Sequence, residues 1–200
     1  MSSRAAYDAR TTDRPAASRS SGCFAVVRPS TRQAFVRSMR SGGHVSERLE
    51  VRRSSRLVIL DPTGRMLLFR YQDEHTNPFW ATVGGELGTG EDFFAAAQRE
   101  LLEETGFRAE VGPVLRDRDA VYAVARSSPA RWLEKYFLVQ CHSADAPDPT
   151  GWTDEERSTI QAWKWWSLTE MLNEGSSAFR PEFLPELLRS VLAERESEPG

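Results

Sequence analysis

Two hundred residues, 40% of them hydrophobic and 28% charged, suffice for one domain with appendages and a sizeable core. No apolar run reaches the roughly 18 residues that span a bilayer, and the amino terminus lacks a secretory leader, so a soluble cytoplasmic chain without a membrane role is expected. The net charge of −3 is uneven: residues 1–45 carry eight arginines against Asp8 and Asp13, which leaves the remainder acidic, a poor surface for nucleic acid.

Residues 1–45 are rich in Ser, Arg, Ala and Gly with no sustained period, and are expected to form a disordered basic extension. Residues 46–200 are expected to form the folded domain, with order beginning near Val51. Ser55–Leu60 and Met66–Tyr71 are β-prone runs around Asp61-Pro62-Thr63-Gly64, which predicts a hairpin. Phe79–Val83 reads as a strand that ends at Gly84-Gly85. Thr89–Thr105 reads as a helix capped by Thr89 and stopped by Gly106, with Phe94, Ala97 and Leu101 as its apolar stripe. Glu110–Leu115, Ala120–Val124 and Trp132–Gln140 read as strands, 142–157 as a polar loop, and Ala162–Ser167 as a Trp-rich strand. Thr169–Asn173 and Pro181–Glu194 close the chain as helices. Strands surrounding one central helix predict an α/β sandwich of the α+β type with a mixed sheet. Cys23 and Cys141 sit in no CxxC or Cys/His cluster, which favours reduced thiols over a zinc site. His44, His75 and His142 have no ligand spacing.

The chemistry is concentrated in Gly84–Phe107, GGELGTGEDFFAAAQRELLEETGF. On a helix, Glu100, Glu103 and Glu104 fall on one face within a turn. Like charges so close repel, and a divalent cation removes the repulsion; carboxylate oxygens are the hard ligands that magnesium takes. Gly84-Gly85 lets a backbone carbonyl approach such an ion. Arg99 carries a rigid guanidinium fork suited to hold Glu91 or a member of the cluster. The spacing is Gly85, five residues, Glu91, seven residues, then Arg99-Glu100-Leu101-Leu102-Glu103-Glu104-Thr105-Gly106-Phe107.

This pattern resembles the Nudix box, G-x5-E-x7-R-E-U-x-E-E-x-G-U with U a bulky apolar residue, at every fixed position. The chain is similar to the Nudix superfamily from about Arg56 to Met171, including the lead-in VILDPTGRMLL and the closing TDEERSTIQAWKWWSLTEM. The resemblance implies a Nudix-like α/β/α sandwich with a catalytic loop–helix. It implies Mg2+ (or Mn2+) held by Glu100, Glu103, Glu104 and the Gly85 carbonyl, with Glu91 and Arg99 as the structural pair. The implied reaction is attack of a metal-activated water on a diphosphate linkage of a small nucleotide-like substrate. Glu156 is favoured over Glu155 as general base. A homodimer is left open. One departure is Val83, where the family often has proline before Gly-Gly. Trp80, Trp152, Trp163, Trp165 and Trp166 are candidate stacking platforms, and Arg70 and Arg118 candidate phosphate contacts, although core and ordinary surface roles compete. The alternative is a Nudix-fold module that binds a nucleotide or sugar nucleotide without cleaving it.

Overall fold

The computed structural model describes residues 49–72, 77–124 and 127–197. The expected basic extension, with Cys23 and His44, lies outside them, as does His75. In chain order the elements are β1 (Val51–Leu60), β2 (Met66–Tyr71), β3 (Phe79–Ala81), α1 (Phe93–Thr105), β4 (Val111–Tyr122), β5 (Ala130–Gln140), α2 (Asp154–Thr159), β6 (Ile160–Trp166), α3 (Leu168–Glu174), β7 (Phe179–Arg180) and α4 (Leu184–Ser197). Short 3-10 turns occupy Pro149–Gly151 and Ser176–Ala178. None of the described helices is long and apolar enough to cross a membrane.

The sheet is mixed, as expected, in the order β4-β5-β1-β2-β3-β7, with β6 paired to β2. The hairpin forms around Asp61, whose Oδ1 accepts from the amides of Thr63 and Arg65, both at 2.9 Å. Its strands pair only at Leu60–Met66 and then part. From there β1 runs parallel to β5 from Val51–Arg131 to Leu60–Gln140, and β2 takes β6 and β3 antiparallel on its two edges. Leu57–Leu60 is therefore covered on both faces, which is why it reads as a continuous apolar run.

Alternation along the strands splits the core into two layers. Leu57, Ile59, Leu67, Phe69 and Val139 pack under Ala97 and Leu101 of α1. Val58, Leu60, Met66 and Leu68 face the other way, onto Met171 of α3 and Leu184, Leu188 and Val191 of α4. Helices on both faces of one mixed sheet make the expected sandwich.

Several boundaries differ from the sequence reading. The helix begins at Phe93, with Asp92 rather than Thr89 as its cap; Asp92 Oδ1 accepts from Ala95 N at 2.8 Å. Phe94 is not in the buried stripe: it is 44% exposed, and the small Ala96 and Ala97 let the helix approach the sheet. The two strands expected at Glu110–Leu115 and Ala120–Val124 are the single β4. Its central charges do not break it, because Asp117 pairs across to Lys135 at 2.7 Å and Asp119 to Arg131 at 2.5 Å. The expected loop 142–157 contains a 3-10 turn and the start of α2. The last helix starts at Leu184, after a cis Arg180–Pro181 peptide, and not at Pro181.

Candidate active site

The loop after β3 is fastened to β1 by three successive contacts. Leu57 N donates to the carbonyl of Val83 at 2.9 Å, Arg56 Nη1 to that of Gly84 at 2.8 Å, and Ser55 N to that of Gly85 at 2.9 Å. Val83, which stands where the family often has proline, is fully buried and bridges Leu57. The Gly85 carbonyl, an expected metal ligand, thus spends one lone pair on Ser55 and keeps a second. A side chain at Gly85 would place its Cβ 2.3 Å from Glu100 Oε1, so the backbone here runs directly against a carboxylate. Glu104 Oε2 completes the clasp by accepting from Gly84 N at 3.0 Å.

Arg99 organises the rest of the loop. Its Nε and Nη2 grip both oxygens of Glu91, at 3.0 and 2.9 Å, in the expected fork. Nη2 also donates to the Glu86 carbonyl at 3.0 Å, and Nη1 reaches Glu100 at 2.7 Å and Glu103 at 2.9 Å. Glu91 Oε2 in turn accepts from Gly88 N at 2.7 Å. The fork holds the Glu91 carboxyl below its usual range, and the Arg99 charge is reinforced chiefly by that same contact.

The carboxylates do not gather as the sequence suggests. Ligand oxygens of Glu100, Glu104 and Glu156 lie within 4.8 Å of one another, and Glu103 is outside this group. Spacings of four and three residues set Glu104 and Glu103 on opposite flanks of Glu100, roughly 100° apart. Glu104 turns inward to Gly84, whereas Glu103 sits half-exposed against Arg99.

Glu156 arrives from elsewhere in the chain. The segment before it docks on the end of α1: Asp148 N donates to the Thr105 carbonyl at 2.9 Å and Trp152 Nε1 to the Glu104 carbonyl at 2.7 Å. Gly151 passes so close that a Cβ there would lie 2.2 Å from the Glu103 carbonyl oxygen. Thr153 then starts α2 with a capping box, donating its amide at 2.6 Å and its hydroxyl at 2.9 Å to Glu156 Oε2. The other oxygen of Glu156 accepts no hydrogen bond among the described residues.

Burial pushes the Glu104 carboxyl well above its usual range, and the charge of Glu100 adds to this. Burial raises Glu100 as well, against the pull of Arg99. Tyr71 is raised by burial and then by Glu104. The set is a cluster of hard oxygen donors short of positive charge, which fits a small divalent cation. A carboxyl whose folded pKa is raised stabilises the fold fully below its unfolded value, and that stability is lost as pH climbs through the folded value. Without metal, the melting temperature should therefore fall as pH rises from about 4.5, and Glu104→Gln should flatten the slope. Equal slopes in parent and variant, measured by calorimetry in EDTA, would remove Glu104 as the cause.

Beside the loop lies a second network, centred on Glu134, a residue the sequence reading did not single out. Glu134 is 2% exposed and accepts from Arg56 Nε at 3.0 Å, Tyr122 at 2.9 Å, Ser54 at 3.3 Å, Arg118 at 2.5 Å and Tyr136 at 3.3 Å. Burial works against its charge, but Arg56 and Arg118 prevail and hold it below the usual range. Arg118 is thus tied to Glu134, and Arg70 meets Gln161 at 3.3 Å. Of the tryptophans, Trp165 and Trp166 are core, Trp80 packs against Trp166, Trp152 serves the docking above, and Trp163 is 40% exposed.

Comparison with known proteins bears on the fold and the family. No curated protein matches the sequence closely enough to count as a relative. Among solved structures, the fold is similar to a MutT protein from Methanosarcina mazei Go1, with 18% identity over 76% of this chain and 99% of that one, at a TM-score of 0.55. It is also similar to a NUDIX hydrolase from Nitrosomonas europaea, with 21% identity over 72% and 90% and a TM-score of 0.56. A third likeness is to an Ap4A hydrolase from C. elegans, with 22% identity over 74% and 99% and a TM-score of 0.53. At these identities the likeness is one of fold. The family model for the NUDIX domain matches residues 50–187, which span both the box and the docked α2, and the chain belongs to the NUDIX domain family of hydrolases.

Proposed function

We propose that the protein hydrolyses a diphosphate linkage in a small nucleotide-like molecule, a nucleoside diphosphate derivative, with Mg2+ or Mn2+. The observation that carries this reading is the convergence of Glu100, Glu104 and Glu156 within 4.8 Å, two of them buried. Among the described residues no guanidinium or ammonium forms an ion pair with Glu104 or Glu156, and the nearby Arg56 charge does not offset the burial of Glu104. Glu100, Glu104 and the free lone pair of the Gly85 carbonyl would hold the cation, and Glu103 joins only by leaving Arg99. A bound dication supplies an acidified water and neutralises charge on the phosphate oxygens. The free oxygen of Glu156 is the proton acceptor for that water, while Glu91 and Arg99 keep loop and helix in register.

The test is a panel of nucleoside di- and triphosphates, dinucleoside polyphosphates, ADP-ribose and nucleotide sugars, assayed for released phosphate or nucleotide. Turnover of at least one member should require Mg2+ or Mn2+, fall to background in EDTA and return on adding either ion. Full activity after exhaustive chelation would overturn the metal assignment. Since every residue assigned here lies within 56–156, deleting residues 1–45 should leave turnover within about twofold. A larger loss would place part of the site in that segment.

A further inference from the structure

We infer that Glu134, which touches none of the clustered carboxylates, is a positioning residue for Glu104 and acts through Arg56 and the backbone of Gly84. The inference rests on the reading of Glu104 as a metal ligand and adds what sets its geometry.

The chain of contacts is short. Glu134 Oε1 holds Arg56 Nε at 3.0 Å, Arg56 Nη1 holds the Gly84 carbonyl at 2.8 Å, and Gly84 N holds Glu104 Oε2 at 3.0 Å. The flanking carbonyls of Val83 and Gly85 face β1 and are taken by its own amides, from Leu57 and Ser55. The Gly84 carbonyl points away from that ladder, so no main-chain donor of β1 meets it, and the side chain of Arg56 supplies one. Gly84 stands at φ +130. The torsions that join the two peptide units around it are therefore open in a way no other residue type allows, unless both units are fixed. Leu57 N holds the unit before Gly84 at its Val83 carbonyl, and Arg56 holds the unit that follows, so the torsions of Gly84 are closed from both sides and its amide stays on Glu104.

Energetics favour positioning over bulk stabilisation. A buried ion pair loses in desolvation much of what it gains in attraction, so a carboxylate with two arginines, two tyrosines and a serine around it is a weak way to stabilise a sheet. It is a strong way to hold one guanidinium in one place. Glu134 occupies both ends of that demand: Arg118 and Tyr136 take Oε2, which leaves Oε1 for Arg56, Tyr122 and Ser54.

The experiment uses the full-length protein and two readouts. The first is hydrogen exchange of the Gly84 amide by NMR in metal-free protein. The second is Mn2+ affinity, measured from the free-ion electron paramagnetic resonance signal. In Glu134→Gln, exchange of the Gly84 amide should accelerate at least tenfold more than that of Val58 and Leu67, and Mn2+ binding should weaken by about tenfold. Arg56→Gln should reproduce both effects, and it decides the matter if Glu134→Gln does not fold. An unchanged Gly84 amide in a folded variant overturns the inference, as does a uniform acceleration across β1 and β2, which marks mere destabilisation. If the parent binds no Mn2+ yet the Gly84 amide responds, the relay stands and the metal reading falls instead.

Discussion

Glu104→Gln should lower turnover by about a thousandfold or more, a barrier increase of about 4 kcal/mol, while the protein stays folded. The amide oxygen of glutamine can still accept from Gly84 N, which Glu104 now does at 3.0 Å, so the loop keeps its anchor. What disappears is a negative charge buried beside Glu100. In the absence of metal that loss relieves the fold, so the variant should melt at a higher temperature than the parent at neutral pH. With saturating Mg2+ the order should reverse, because only the parent gains from binding. Turnover within tenfold of the parent would show that Glu104 is not a ligand. The same change at Glu103 is informative in another way: it frees Arg99 Nη1 from one of its two carboxylates, and a comparable loss would mean that Glu103 leaves Arg99 for the cation during turnover.

Gly84→Ala should be the most damaging single-methyl substitution in the molecule. At φ +130 the backbone is in a region that L side chains rarely adopt, and the added Cβ would lie 2.1 Å from the Ser55 carbonyl oxygen and 3.0 Å from Arg56 Cα. Those neighbours are main chain of β1, which is held by β5 along its whole length and cannot yield locally. The loop must lift instead, and the bonds from Leu57, Arg56 and Ser55 to Val83, Gly84 and Gly85 go with it. We expect a loss of about 3 kcal/mol or more in urea unfolding, together with loss of turnover. A variant within about 0.5 kcal/mol of the parent would show that the loop is not seated against β1 as described.

The site was legible in the sequence where chemistry fixes both residue type and spacing. Gly85 lies against Glu100, Arg99 against Glu91 and Glu100, and Gly84 against Glu104, and the sequence could place these because each contact lies within one loop and one helix. Which glutamates converge was not legible, since that depends on the rotation of α1 about its axis, set by Ala96 and Ala97 against the sheet. Glu156 could be named only as a candidate, although Thr153-x-x-Glu156 is a capping-box signature that marks the start of α2. Glu134 was missed for a different reason. A lone acid beside Lys135 reads as solvent-facing, yet Trp132, Glu134 and Tyr136 share one face at a period of two, and a carboxylate between two large aromatics is a hint of burial. β7, two residues long, has no local signal; it exists because Phe179 and Arg180 pair with Trp80 and Ala81.

The docking of Gly151 and Trp152 onto the carbonyls of Glu103 and Glu104 has an evolutionary corollary. It welds the segment bearing Glu156 to the helix bearing the other acids, by the backbone of Gly151 and the indole of Trp152 against main-chain carbonyls some fifty positions away. The stretch from His142 to Ala146, which precedes that weld, is tied separately, by Trp165 Nε1 donating to the Asp145 carbonyl at 3.1 Å, so its exposed side chains can change without disturbing the weld. A lineage can therefore vary those side chains while Glu100, Glu104 and Glu156 keep their places.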